Sequence, residues 1–145
     1  MRQSSIRNSF ELSLDGGLVE NTPLGMVQYA KFPANHWKYS GTKIVTGYES
    51  GEFCLIKIPQ ASSLEEVIKR TKIEGFEIPA GQWLKAYLDK KPRLGLGSIG
   101  VADPSWKFPS GQACFPFLSL ATGLDFHNQE ISLKGDWTWL VKIPN

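Results

Sequence analysis

The strongest constraint on this chain is a strand pattern that occurs twice. Gly51-Glu52-Phe53-Cys54-Leu55-Ile56-Lys57-Ile58-Pro59-Gln60 is echoed by Gly135-Asp136-Trp137-Thr138-Trp139-Leu140-Val141-Lys142-Ile143-Pro144-Asn145, one residue longer. Each copy has a glycine, an acidic residue, a run of β-branched and aromatic side chains, and a proline. Such runs fit the pleated, half-buried surface of a sheet, and proline, having no N–H for a ladder, marks their end. Both segments are therefore predicted as buried strands. The echo has two open origins: a pseudo-symmetric β-α-β arrangement, or similar residue choices imposed by similar burial. It constrains the fold and names no chemistry.

A length of 145 residues fits one domain, residues 1–145. A chain of this size buries about 68–70% of the surface its unfolded form exposes, enough for a core without staples. With 21% charged residues, 41% apolar residues and a net charge of +2, it has the composition of an ordinary globular protein, and charge alone names no partner. Arg2 and Arg7 precede no apolar run of signal-peptide length, and no stretch approaches the roughly 20 apolar residues of a membrane span. A cytoplasmic location without membrane association is the expectation.

The order of patterns predicts an α+β fold. Ser9 to Leu14 alternates, Asp15-Gly16-Gly17 turns, and Gly25 to Phe32 reads as extended before Pro33. Lys43 to Tyr48 and Glu52 to Ile58 flank Glu49-Ser50-Gly51 as a hairpin would. The period then changes. Ser62 and Ser63 each precede a glutamate by three residues, the spacing of a capping box, and Leu64, Val67 and Ile68 mark one helical face. A second helix is predicted from about Pro79 to Lys90, with Trp83, Leu84, Tyr87 and Leu88 as its apolar stripe and Pro92 as its stop. Arg93 to Gly111 reads as the longest irregular stretch, followed by strands at Ala113 to Ala121, Glu130 to Lys134 and the C-terminal echo. The architecture expected is a mainly antiparallel twisted sheet or partly open barrel, with the two central helices packed on one face or end.

Several residue sets have the composition of a chemical site. Gly95-Leu96-Gly97-Ser98-Ile99-Gly100 has the spacing of a dinucleotide fingerprint, but a helix precedes it and Asp103-Pro104 follows, where that fingerprint needs a strand and then a helix. The remaining readings are a plain connector, or a loop whose N–H groups bind phosphate with Lys90, Lys91 and Arg93. Cys114, His127 and either Asp125 or Asn128 supply the residue types of a cysteine hydrolase, which needs a thiolate and an oriented imidazole. Against this, Cys114 sits in the apolar run Ala113-Cys114-Phe115, which raises a thiol's pKa. The two cysteines read as buried free thiols. His36 and His127 are the only histidines, and neither stands at a ligand spacing from Cys54 or Cys114, so no metal and no cofactor is expected.

The pattern that weighs most on function is the alternation of aromatic and basic residues. Trp37-Lys38-Tyr39 and Trp106-Lys107-Phe108 both place a lysine between two rings, near prolines or glycines that would leave them in loops. Exposed rings anchor protein interfaces, where aromatic residues are enriched at the centre and lysine is kept to the rim. The expected function is a non-catalytic protein-interaction or assembly module, for example a subunit of a larger complex or virion. It would work through aromatic surface loops carrying Trp37, Lys38, Tyr39, Trp106, Lys107 and Phe108, with Arg93 nearby, and its partner would be another protein or a second copy. The second reading is a module for single-stranded nucleic acid, in which bases stack on the rings while lysines follow the phosphates. A hydrolase using Cys114 and His127 is the third.

Overall fold

The computed structural model describes residues 8–27, 38–39, 44–90, 92–93, 95, 97–129 and 137–144, with Leu24, Val27, Lys38 and Tyr39 described as backbone. Eight strands among these residues form one sheet: β1 (Phe10–Asp15), β2 (Lys38–Tyr39), β3 (Tyr48–Lys57), β4 (Ser98–Gly100), β5 (Trp106–Lys107), β6 (Ala113–Ser119), β7 (Gly123–Asn128) and β8 (Trp137–Lys142). The sheet runs β1-β3-β8-β4-β6, and β7 covers one edge of β6 along its length. The other edge of β6 is shared, with β4 on Phe117 and Leu118 and β5 on Ala113 and Cys114, and β2 lies outside β5. All pairings are antiparallel except β4 with β8. The fold is the expected α+β, a mixed open sheet.

Both faces of this sheet are packed, which explains why β3 and β8 read as nearly continuous apolar runs. Phe53, Leu55, Leu140, Ile99, Leu118 and Phe126 belong to one core with Trp83, Leu84 and Ala86 of helix α3 (Gln82–Asp89). Cys54, Val141, Trp139 and Phe115, alternating with them along the strands, belong to a second core with Leu64 and Val67 of helix α2 (Leu64–Ile73). The two helices thus take opposite faces instead of sharing one. A 3-10 turn (Val19–Asn21) and a short helix α1 (Pro23–Val27) complete the elements on the α3 side, where Met26 joins the first core.

Local chemistry sets the helices. Of the two candidate capping boxes, Ser63 with Glu66 forms in half: the Ser63 hydroxyl accepts from the Glu66 N–H at 3.2 Å, while the Glu66 carboxylate reaches one residue further back and accepts from the backbone N–H and hydroxyl of Ser62 at 2.9 and 2.8 Å. Helix α2 ends at Gly75, whose φ of +90° is open to glycine and strained for other residues. Helix α3 starts without a capping side chain. Its Gly81 N–H instead donates to the buried Asp103 carboxylate at 2.8 Å, and the Gln82 side-chain amide bonds both backbone groups of Val45 and the carbonyl of Asn21.

Four sequence expectations need correction here. Glu49-Ser50-Gly51 is no hairpin loop, because β3 runs unbroken from Tyr48 and pairs with β1 through Leu12 opposite Gly51. Gly25 lies in α1, not in an extended segment; 28–32 lie outside the described residues. The stretch 93–111 contains β4 and β5. β7 was not expected at all, and the strand expected at 130–134 lies outside the described residues.

Candidate functional site

The two Trp-Lys-aromatic segments come together, because β2 pairs with β5: Lys38 stands opposite Lys107 and Tyr39 opposite Trp106. Trp37 lies outside the described residues. Trp106 is not the exposed ring that its surroundings predict. It is 1% exposed, packs 5.0 Å from the Phe126 ring, and donates its indole N–H to Asp103 at 3.3 Å. The reason is strand alternation: Trp106 pairs with Cys114 and points into the α3-side core, so that Lys107, its neighbour, points out and is exposed. Phe108 is half-buried against the same core as Trp106, and Arg93 is exposed.

A cluster of rings, some of them partly accessible, lies on the opposite face. Phe115 and Phe117 of β6, His127 of β7, and Trp137 and Trp139 of β8 form one cluster. Phe115 faces His127 across the β6–β7 ladder, with ring centroids 5.5 Å apart. Trp137 stacks on Trp139 at 5.4 Å and 15°, meets His127 edge-on at 5.3 Å, and touches Phe115 and Phe117 at 5.5 and 5.6 Å. Phe115 and Trp139 are buried, whereas Phe117, His127 and Trp137 are half-buried. Offset and tilted contacts of this kind are each worth about 0.5–1.5 kcal/mol beyond area burial, so the cluster is a rigid unit.

Gly100 makes the cluster possible. It lies in β4 between β8 and β6, opposite Trp139 on one side and Phe117 on the other. A Cβ there would come within 2.7 Å of the Trp139 ring and 3.2 Å of the Phe115 ring. The missing side chain is the gap through which rings from two non-adjacent strands meet, 5.5 Å apart. The last glycine of the apparent dinucleotide fingerprint thus serves packing, and the residues from Ser98 form a strand where a phosphate loop would need free N–H groups.

The cysteine-hydrolase set is taken apart by the same alternation. In the β6–β7 ladder Cys114 pairs with Asn128, and His127 pairs with Phe115, so Cys114 and His127 point to opposite faces. Cys114 is fully buried, and loss of hydration pushes its thiol up to about 12; burial raises Cys54 to about 11. His127 is committed to a hydrogen bond, its Nδ1–H donating to the Asn128 carbonyl at 2.9 Å. A thiol whose pKa lies that far above neutrality stays protonated at pH 7 and is a poor nucleophile. Both cysteines should therefore react with a thiol reagent only as fast as the chain unfolds. Rapid labelling of Cys114 in the native state, slowed by His127→Ala, would contradict this arrangement.

Among the described residues no group of three or more histidines, cysteines or carboxylates is placed to hold a metal ion, and no helix is long and apolar enough to cross a membrane. No family model matches the chain, and neither a curated protein nor a solved structure is similar to it. Phe117, His127 and Trp137 were missed as a site because they come from three strands. Their one sequence signal is the i, i+2 spacing of rings in Phe115-Pro116-Phe117 and Trp137-Thr138-Trp139.

Proposed function

We propose that this chain is a non-catalytic protein-interaction or assembly module whose contact surface is the ring face of Phe117, His127 and Trp137. The observation that carries this reading is the state of Trp137. It is half-buried and already held by four other rings, with one face stacked on Trp139. A large ring fixed before contact loses little conformational freedom on binding, the property that makes tryptophan an effective interface anchor. This moves the proposed contact from aromatic loops to a sheet face, with Lys107, on the same face of the neighbouring β5, toward its polar rim.

The single-stranded nucleic-acid reading keeps one observation, the juxtaposition of Lys38 and Lys107 in adjacent strands. It loses a stacking platform in Trp106, which is enclosed. Trp137 offers at most one ring face to a base, since Trp139 occupies the other.

Sedimentation of the pure chain over a range of concentrations, beside an unstructured oligonucleotide titrated at two salt concentrations, separates the readings. Concentration-dependent association that weakens about thirty-fold in Trp137→Ala, the equivalent of about 2 kcal/mol, is the expected result. A chain that stays monomeric throughout yet binds the oligonucleotide with steep salt dependence would overturn it in favour of nucleic acid. Trp137→Phe, which keeps a ring in the cluster, should retain most of the association and serves as the folding control.

A further inference from the structure

A cleft lies at the other end of β8, where the two cores meet. Its volume is about 470 Å³, within the range of small-ligand sites. Its apolar lining includes Val45, Phe76 and Trp83, all buried, and four charged residues border it: Glu49, Lys72, Glu77 and Lys142. Among the described residues none of these four takes part in an ion pair.

That absence is informative for Glu77 and Lys142. They stand directly opposite one another, joined by two reciprocal backbone hydrogen bonds of 2.9 Å. Opposite charges at such a position lie near enough to pair across the ladder. Here the Lys142 side chain turns instead across β3, over Gly51, where a Cβ would lie 3.1 Å from its Cε. Glycine in the middle of a strand, which otherwise weakens the strand, makes room for that path. The result is a rigid rung whose cation and anion both border the cleft without neutralising each other, with one further charge of each sign nearby.

A ligand that satisfies this border carries both charges close together on an apolar body. A simple anion would leave the glutamates opposed to it, and a simple cation the lysines. We infer that the cleft binds a free α-amino acid with an apolar side chain. Lys142 and Lys72 take the carboxylate, Glu77 and Glu49 take the ammonium, and the side chain lies along Ile44, the exposed apolar residue of the lining. This site is separate from the ring face and does not depend on it.

Calorimetric titration of the full chain with L-phenylalanine tests the inference, beside N-acetyl-L-phenylalanine, which lacks the ammonium, and L-phenylalaninamide, which lacks the carboxylate. Saturable one-to-one binding of phenylalanine is expected at micromolar to millimolar concentration, with each blocked analogue weaker by about tenfold or more, the size of one lost charge-assisted hydrogen bond. Lys142→Met keeps the alkyl stem and should abolish the preference for phenylalanine over its amide, and Glu77→Gln the preference over the acetyl derivative. Failure of phenylalanine to saturate the native chain, equal binding of both blocked analogues, or unchanged preferences in the two variants would each overturn the assignment. The analogue comparison on the native chain decides even where a variant is unstable.

Discussion

A chain that stops at Gly135 is expected to show no cooperative thermal transition and to be unfolded or insoluble. β8 is a central strand, hydrogen-bonded to β3 on one side and to β4 on the other, so its loss splits the sheet in two. It also contributes to both cores: Leu140 on the α3 side, and Trp139 and Val141 on the α2 side, each 1% exposed. Truncating a buried leucine or tryptophan alone costs about 2–5 kcal/mol, against a total stability of about 5–15 kcal/mol for a domain. Three such side chains, with two ladders of backbone bonds, exceed that margin. A sigmoidal melt near that of the full chain, followed by circular dichroism, would show that the sheet does not depend on β8.

Asp103→Ala should be strongly destabilising. The carboxylate is fully buried and serves three donors: the Gly81 N–H at 2.8 Å and the Trp106 indole at 3.3 Å on one oxygen, and the Ser105 N–H at 3.1 Å on the other. It therefore joins the start of α3 to the turn before β5. A buried donor left without a partner costs about 1–3 kcal/mol, and with the buried Gly81 N–H orphaned and two further bonds lost the cost is expected to reach about 3 kcal/mol. Asp103→Asn is no rescue, since both oxygens accept and one would become an NH₂ group facing a donor. Trp106→Phe removes one donor and its bond together and should cost less than Asp103→Ala in chemical denaturation. The reverse order would mean that the indole packing, not the carboxylate, holds this junction.

What the sequence made legible was governed by local rules. The N-cap at Ser63 needs only residues within one turn, and it formed, with the Glu66 carboxylate on Ser62 in place of Ser63. The faces of the last strand were readable from alternation, with Trp137, Trp139 and Val141 on one side and Leu140 on the other. β7 was missed because Leu124 and Phe126 alternate with Asp125, His127 and Asn128, a pattern that also fits a polar loop. Gly51 looked like a turn because the reason for a glycine there, the passage of Lys142, comes from a strand far along the chain.

The site was less legible for a physical reason. Trp106-Lys107-Phe108 announces rings near a proline and glycine, yet whether Trp106 points inward depends on its pairing with Cys114. Likewise Phe117, His127 and Trp137 share a face through the registers of β6 with β7 and of β4 with β6 and β8. Register is a tertiary property, and one residue of slip would exchange the two faces.

The position of β8 also bears on how the chain is made. The strand that completes the middle of the sheet is the last of the eight in chain order. As the polypeptide leaves the ribosome at about 5–20 residues per second, β1 can meet β3, and β6 can meet β4 and β7, before β8 exists. Two half-sheets then wait in the nascent chain, one with an open edge on β3 and the other with an open edge on β4. The pairing that joins them is long-range and closes a large loop, which is slow relative to local pairing. For that interval the apolar edges are available to neighbouring chains, so the yield of native protein should be set by the race between insertion of this final strand and aggregation.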